Sequence, residues 1–303
     1  MRAFVAITDH DWFDLLRSQP QLEEVNFWQP SGSRQFRALN PGEMFLFKLH
    51  SPHDYVVGGG LYAHSSLLPI SLAWESFGIS NGAHTLSEMR SRVEKYRRQG
   101  SDRAADYTIG CILLEQPFFL PQNKWIPIPS DWKANIVQGR GYDLTVEPGL
   151  TLWNNLQASL TYTPSTPNVA ARYGQPITTL PRLGQGSFRV IVTDAYERCC
   201  AFTNERTLPA LDAAHIKPYS GDGLHTVNNG ILLRRDLHAL FDKGYVTVTP
   251  AQVIEVSRKI KEEFENGRDY YRLHGSRMRL PGDLRNRPSS ECLEWHNTNV
   301  YRG

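Results

Sequence analysis

Residues 212–244 read DAAHIKPYSGDGLHTVNNGILLRRDLHALFDKG. Leu208, Leu211 and Ile216 make the stretch around His215 apolar and β-prone, and the SGDG after it is rich in turn formers. A strand is therefore predicted to end at His215 and run into a loop. The next apolar run, Ile231-Leu232-Leu233, follows Asn228-Asn229-Gly230, a turn signal that returns the chain beside the first strand as a hairpin. Asp236 then reads as an N-cap, Leu237, Leu240 and Phe241 have helical spacing, and Lys243-Gly244 is a helix stop. The segment is thus two strands and a helix, with His238 and Asp242, four residues apart, on one helix face.

That layout suits one kind of chemistry. Phosphodiester hydrolysis needs a base to activate water and a cation to hold the phosphate and the departing oxygen. A neutral histidine can be the base near pH 7, and His215 is the candidate. A divalent ion such as Mg²⁺ or Mn²⁺ takes oxygen and imidazole ligands and keeps positions open for substrate, which His238 and an acid can supply. Any single histidine here also reads as an ordinary polar residue on a loop or helix; the argument lies in the set and its order.

With its AAHIxP strand and DLHxLFD helix, the segment resembles the HNH, or ββα-metal, nucleases, over Pro181 to about Val248. The resemblance implies that His215 is the general base, that Asn229 tethers the loop and that His238 binds the metal; Asn229 and His238 lie nine residues apart, which is the family's spacing. One position departs from the pattern. Many relatives place an Asp or His ligand immediately before the base, where this chain has Ala214. Asp212, two residues earlier, or Asp242 can fill the gap, and each also reads as a solvated surface acid.

Many domains of this family carry two CxxC knuckles around a structural zinc. The four cysteines here, Cys111, Cys199, Cys200 and Cys292, do not form them, and Arg234, Arg235 and Asp236 stand where a second knuckle would flank the helix. No structural zinc is expected, and so few cysteines give no disulfide framework, in keeping with a reducing cytoplasm. The N-terminal MRAFVAITDHDWF meets Asp9 and Asp11 before any apolar export core, and no long apolar run follows, so neither export nor a membrane span is expected.

The chain's 303 residues allow two domains. From about Thr145 to Gly186 the sequence turns rich in Pro, Thr, Gly and Asn, which reads as a linker with some local structure around Trp153. The predicted division is 1–145, a linker over 146–180, and 181–303. The net charge of +2 is small for a DNA enzyme, but basic residues cluster in two runs: Arg90, Arg92, Lys95, Arg97, Arg98 and Arg103, and Arg272, Arg277, Arg279, Arg285 and Arg287. Either run can track a phosphate backbone or be a solvated face.

In the first half, strands are predicted at Ala3–Ile7, Met44–Leu49, Tyr55–Tyr62 and Tyr107–Leu114, with a bulge at Gly58-Gly59-Gly60. Helices are predicted from Pro69-Ile70-Ser71 and over Leu86–Arg98, giving a small mixed barrel with peripheral helices. Aromatic residues are abundant between these elements. The segments NFWQPSGSRQFRALNPGEMFLFKL and YVVGGGLYAHSSLLPISLAWESFG resemble the EVE branch of the PUA superfamily, over roughly residues 1–145. The resemblance implies a pocket that takes up a flipped, modified base between aromatic walls, Trp28 and Trp74, with Tyr55 a further wall. Asp9 is placed to accept from a cytosine amino group. Each tryptophan also reads as core packing.

The whole is read as an α+β protein, a PUA/EVE-like mixed barrel joined by a linker to an HNH nuclease domain. The implied function is a modification-dependent DNA endonuclease acting on double-stranded DNA that carries 5-methylcytosine or 5-hydroxymethylcytosine. One such site cuts one strand, so a double-strand break implies a homodimer or two visits. Three other readings stay open: a nonspecific or structure-directed nickase, a nucleic-acid-binding protein whose nuclease is weakened by Ala214, and a first domain that reads RNA.

Overall fold

The structure, a computed structural model, describes residues 1–97, 105–161, 183–218 and 225–303. The SGDG turn at 220–223, the linker residues 162–180 and the basic residues Arg98 and Arg103 lie outside these. The chain divides into two units, Met1–Pro181 and Arg182–Gly303. Among the described residues no helix is long and apolar enough to cross a membrane.

The first unit is built on one mixed sheet. Its strands are β1 (Arg2–Thr8), β2 (Glu24–Gln29), β3 (Met44–Leu49), β4 (Tyr55–Pro69), β5 (Thr108–Phe119), β6 (Ile126–Pro127) and β7 (Gly139–Asp143). Their order is β2-β5-β4-β3-β1-β7, with β6 paired to β4. β1 and β3 run parallel; β3–β4, β4–β5, β2–β5 and β1–β7 are antiparallel. The ladder of β4 with β5 slips between Gly59 and Leu61 and again between Tyr62 and His64. Just before the first slip side chains cannot be placed: a Cβ on Gly58 would strike the carbonyl of Phe118, and one on Gly59 that of Phe45.

Side-chain alternation gives this sheet two buried faces. Ala3 and Val5 of β1 join Met44 and Leu46 of β3 in one apolar cluster, whereas Ala6, Phe45 and Phe47 belong to the other. Helix α1 (His10–Arg17) closes the second cluster with Trp12, Phe13 and Leu16. Helix α2 (Ile70–Phe77) leads through a 3₁₀ turn at Gly78–Asn81 to α3 (Leu86–Glu94), whose N-cap Thr85 accepts from the Glu88 amide.

Helix α4 (Gly149–Thr161) closes the first cluster with Leu152, Leu156 and Leu160. The reading of 146–180 as a linker thus needs correction over 149–161, which belongs to the first unit. Its leucines recur at four-residue intervals among polar residues, and burying each contributes about 1.5–3 kcal/mol.

In the second unit α5 (Gln185–Ala195) precedes the hairpin of β8 (Leu211–His215) and β9 (Gly230–Arg234), which pair antiparallel from Leu211 opposite Arg234 to His215 opposite Gly230. Helix α6 (Arg235–Asp242) follows at once. Its N-cap is Arg234, not Asp236. Asp236 lies in the first turn, where it accepts two bonds from the Arg234 guanidinium at 2.8 and 2.6 Å and complements the helix N-terminus. Gly244 ends the helix with φ of 75°, and a Cβ there would collide with the Val300 carbonyl.

A second hairpin, β10 (Val246–Val248) with β11 (Ile254–Val256), leads to the short helices α7 (Lys259–Phe264) and α8 (Arg268–Tyr271) and to α9 (Ser290–Asn299). Trp295-His296-Asn297 lies in this last helix. Ser289 caps it by accepting from the Cys292 amide.

His296 is buried under α6, stacked on Phe241 at 3.8 Å, with Nδ1 2.8 Å from the Thr247 hydroxyl and Nε2 3.1 Å from the Phe241 carbonyl. Burial lowers its pKa to about 4. The folded state thus refuses a proton that the unfolded chain accepts below about 6.5. The stabilisation is complete above that value and is lost as pH falls towards 4, by on the order of 3 kcal/mol. Urea midpoints of the second unit are expected to drop over this window in the wild type and to drop less in His296→Gln; parallel profiles would contradict the assignment.

Candidate active site

The hairpin and α6 carry the site because their apolar residues face one core. Ile231, Leu232 and Leu233 of β9 are fully buried, and Leu237 and Phe241 turn α6 onto them. Gly230, opposite His215, leaves room for α5. A Cβ there would come within 2.5 Å of Val192 and 2.9 Å of Phe188. The close approach puts the Phe188 ring on the His215 ring, stacked at 3.9 Å and 10°.

His215 stands at the end of β8, and its Nε2 lies 3.0 Å from Nδ1 of His225. Burial lowers the pKa of His215 to about 4, with His225 and His238 adding in the same direction. It is therefore neutral at pH 7, with a lone pair to accept a proton. Asn229 is buried, and its side-chain amide brackets Lys217, two residues after His215: Lys217 N donates to Oδ1 and Nδ2 donates to the Lys217 carbonyl, both at 2.9 Å. The Ile216 amide also donates to the Asn229 carbonyl at 2.9 Å. The chain just after His215 is thereby held on both sides.

On α6, His238 has Nδ1 3.3 Å from Asp212 and Nε2 3.3 Å from Asp242. Burial works against its charged form, but the bond to Asp212 and the charges of Asp242 and Asp212 more than offset this and raise its pKa. Asp212, though partly buried, is held below the usual carboxylate range by His238 and by Arg189, whose Nε is 3.4 Å away. Asp242 is pushed up, by burial and by the charge of Asp212. His215, His238 and Asp242 line one cavity of about 270 Å³ with Ile216, Pro218, His296 and Val300.

These groups decide what a metal would find. Imidazole and carboxylate are suitable donors for Mg²⁺ or Mn²⁺. The two nitrogens of a ring point apart, so an ion on one side of His238 takes one carboxylate and leaves the other as that ring's orienting partner. Among the described residues no three His, Cys, Asp or Glu side chains gather into a metal shell. Ala214, fully buried, offers nothing. A shell of His238 and one acid fits an ion that keeps several waters and takes its other ligands from substrate phosphate.

Three neighbours escaped the sequence reading: Phe188, Arg189 and His225. The signal for the first was available. Phe188, Val192 and Tyr196 recur every four residues and mark a helix face.

The four base-pocket candidates are spread over the first unit, and among the described residues no hydrogen bond or ring contact joins any two of them. Trp28, on β2, donates from Nε1 to the Asn81 carbonyl at 3.0 Å, which Trp12 also reaches at 3.1 Å. Trp74 is half-buried on α2. Asp9, before α1, accepts from the Tyr96 hydroxyl at 2.6 Å and faces His50 at 3.4 Å. Burial and Asp9 together raise the Tyr96 pKa to about 12. Tyr55 is exposed at the start of β4, its ring 6.0 Å from Trp125.

The basic runs are largely engaged within their units. Arg92 pairs with Glu88, and Arg97 donates to the carbonyls of Pro30 and Thr108. Arg279 pairs with Glu197, and Arg285 with Asp283.

Residues 200–249 match the family model described as HNH endonuclease, a span that contains His215, His225, Asn229 and His238. No curated protein matches the chain. Among solved structures, one described as "Modification dependent TagI restriction endonuclease" aligns over 98% of this chain and 81% of its own, at 11% identity and a TM-score of 0.30. So low a score carries no argument about this chain. The span that matches the HNH endonuclease model, 200–249, holds the β8–β9 hairpin and α6.

Proposed function

We propose that the protein is a modification-dependent DNA endonuclease, in which the second unit cuts and the first selects where. The observation that carries the nuclease reading is the cavity where His215, His238 and Asp242 converge beside a loop bracketed by Asn229. His238 and Asp242 would hold the divalent cation, and Asp212, on the other ring nitrogen, orients His238. A bound cation supplies positive charge opposite the scissile phosphate. His215, neutral and fixed on Phe188, takes a proton from water as that water attacks phosphorus in line with the departing 3′ oxygen. Asn229 keeps the peptide after His215 from shifting. The products carry 5′-phosphate and 3′-hydroxyl ends. One centre cuts one strand, so a double-strand break takes a second copy or a second visit.

The reading of the first unit as a selector of 5-methylcytosine or 5-hydroxymethylcytosine rests on its resemblance to EVE domains and on Trp28, held in place by Asn81. Aromatic stacking on a flipped base contributes about 1–3 kcal/mol. Digestion of one plasmid in cytosine-methylated and unmethylated forms tests it. Faster cutting of the methylated form is expected, with a preference that falls by about tenfold in Trp28→Ala. Equal cutting of both forms by the wild type would discard the selector and leave a nonspecific nickase.

A further inference from the structure

The contact between His215 and His225 has a direction that the chemistry depends on. Two neutral imidazoles with nitrogens 3.0 Å apart share one proton, so one donates and the other accepts. If His225 donated, the Nε2 lone pair of His215 would be used and its own proton would sit on Nδ1, leaving neither nitrogen able to take a proton from water. If His225 accepts, the proton of His215 sits on Nε2 and the Nδ1 lone pair is open. The ring of Phe188 holds both histidines to this geometry, stacked on His215 and edge-on to His225 at 5.8 Å and 71°. The two imidazoles stand nearly perpendicular, at 80°, so that a nitrogen of one lies against the other's edge.

We infer that His225 is a positioning residue for the base: its Nδ1 accepts from Nε2–H of His215 and fixes the tautomer whose Nδ1 receives the proton of the attacking water. The inference rests on His215 being that base. When the water proton arrives, His215 becomes a cation with both nitrogens protonated, and its Nε2–H bond to His225 becomes charge-assisted and stronger. While His225 stays neutral and accepts, that bond offsets part of the penalty that burial sets on the charged His215 formed during attack.

Nitrogen-15 NMR of the metal-free protein at pH 7.5, with His215 signals assigned by their loss in His215→Gln, reads the tautomer without any cleavage. The expected result is His215 protonated at Nε2 only; protonation at Nδ1 only would overturn the proposal. The kinetic arm uses cytosine-methylated supercoiled plasmid with Mn²⁺. His225→Phe, which keeps a ring but has no acceptor, is expected to lower kcat about 10- to 100-fold with little change in KM. His225→Gln restores an acceptor and is expected to recover most of that loss. Wild-type kcat in His225→Phe would overturn the proposal while His215→Ala stays inactive; cutting by His215→Ala at the wild-type rate would instead overturn the assignment of the base.

Discussion

Replacing His215 by alanine is expected to lower the metal-dependent cleavage rate by about 10²- to 10⁴-fold, the contribution of a positioned general base. The position is built around this ring: it lies on Phe188, meets His225 and lines the cavity with His238 and Asp242. Burial keeps it neutral, and a neutral imidazole is the form that accepts a proton. Alanine leaves the other groups in place. Asn229 still brackets Lys217, and His238 still lies between Asp212 and Asp242. The variant should therefore bind DNA and fold as the wild type does while failing to cut. Single-turnover rates and thermal melts of the two proteins check this; equal rates would remove His215 from the mechanism.

A second large effect is expected in the first unit, in the pH dependence of its stability. Glu24 on β2 lies directly opposite Glu115 on β5, and both are buried. Among the described residues neither carboxyl oxygen of Glu115 has a hydrogen-bond partner. Burial, with the charge of Glu24 adding to it, raises the Glu115 pKa from the ordinary 4.5 to about 8. The folded state therefore keeps a proton that the unfolded chain gives up. This stabilisation is complete below about 4.5 and is lost as pH rises through 8, by on the order of 5 kcal/mol in all. Glu115→Gln has nearly the same shape and no charge to bury at any pH. It should match the wild type near pH 5 and unfold at clearly higher urea at pH 8. A wild-type profile parallel to that of the variant would show that Glu115 does not titrate in this window. The direction is opposite to that of His296, so the two units should respond oppositely to pH.

The hairpin, α6 and the positions of His215, Asn229 and His238 on or beside them were legible because their signals are local. A strand, a turn and a helix succeed one another within about thirty residues; His215 falls at the end of β8, Asn229 just before β9 and His238 on α6. What covers the site was harder to read. Phe188 reaches His215 only because Gly230 admits α5, a long-range fit with no neighbouring signal. His225 sits in a run of turn formers, where nothing local marks it as a partner of His215. Strand β2 was missed for a similar reason. Its Glu24 and Asn26 are polar, yet both are buried, and Asn26 donates to Asn81, in the 3₁₀ turn after α2, at 2.8 Å. Helix α4 lay in a stretch whose composition suggested a linker, and packing decided otherwise: α4 places its leucines on the sheet, as α9 places Leu293 and His296 against the second core.

The most direct test is the nicking of supercoiled plasmid, methylated at cytosine, by the wild type and by His215→Ala, with Mg²⁺, with Mn²⁺ and with a chelator in place of either ion, followed by DNA ligase. Nicks that need the metal, vanish in His215→Ala and are resealed by ligase, as 5′-phosphate and 3′-hydroxyl ends must be, are the predicted result. Equal nicking by His215→Ala, or no nicking with either ion, would contradict it.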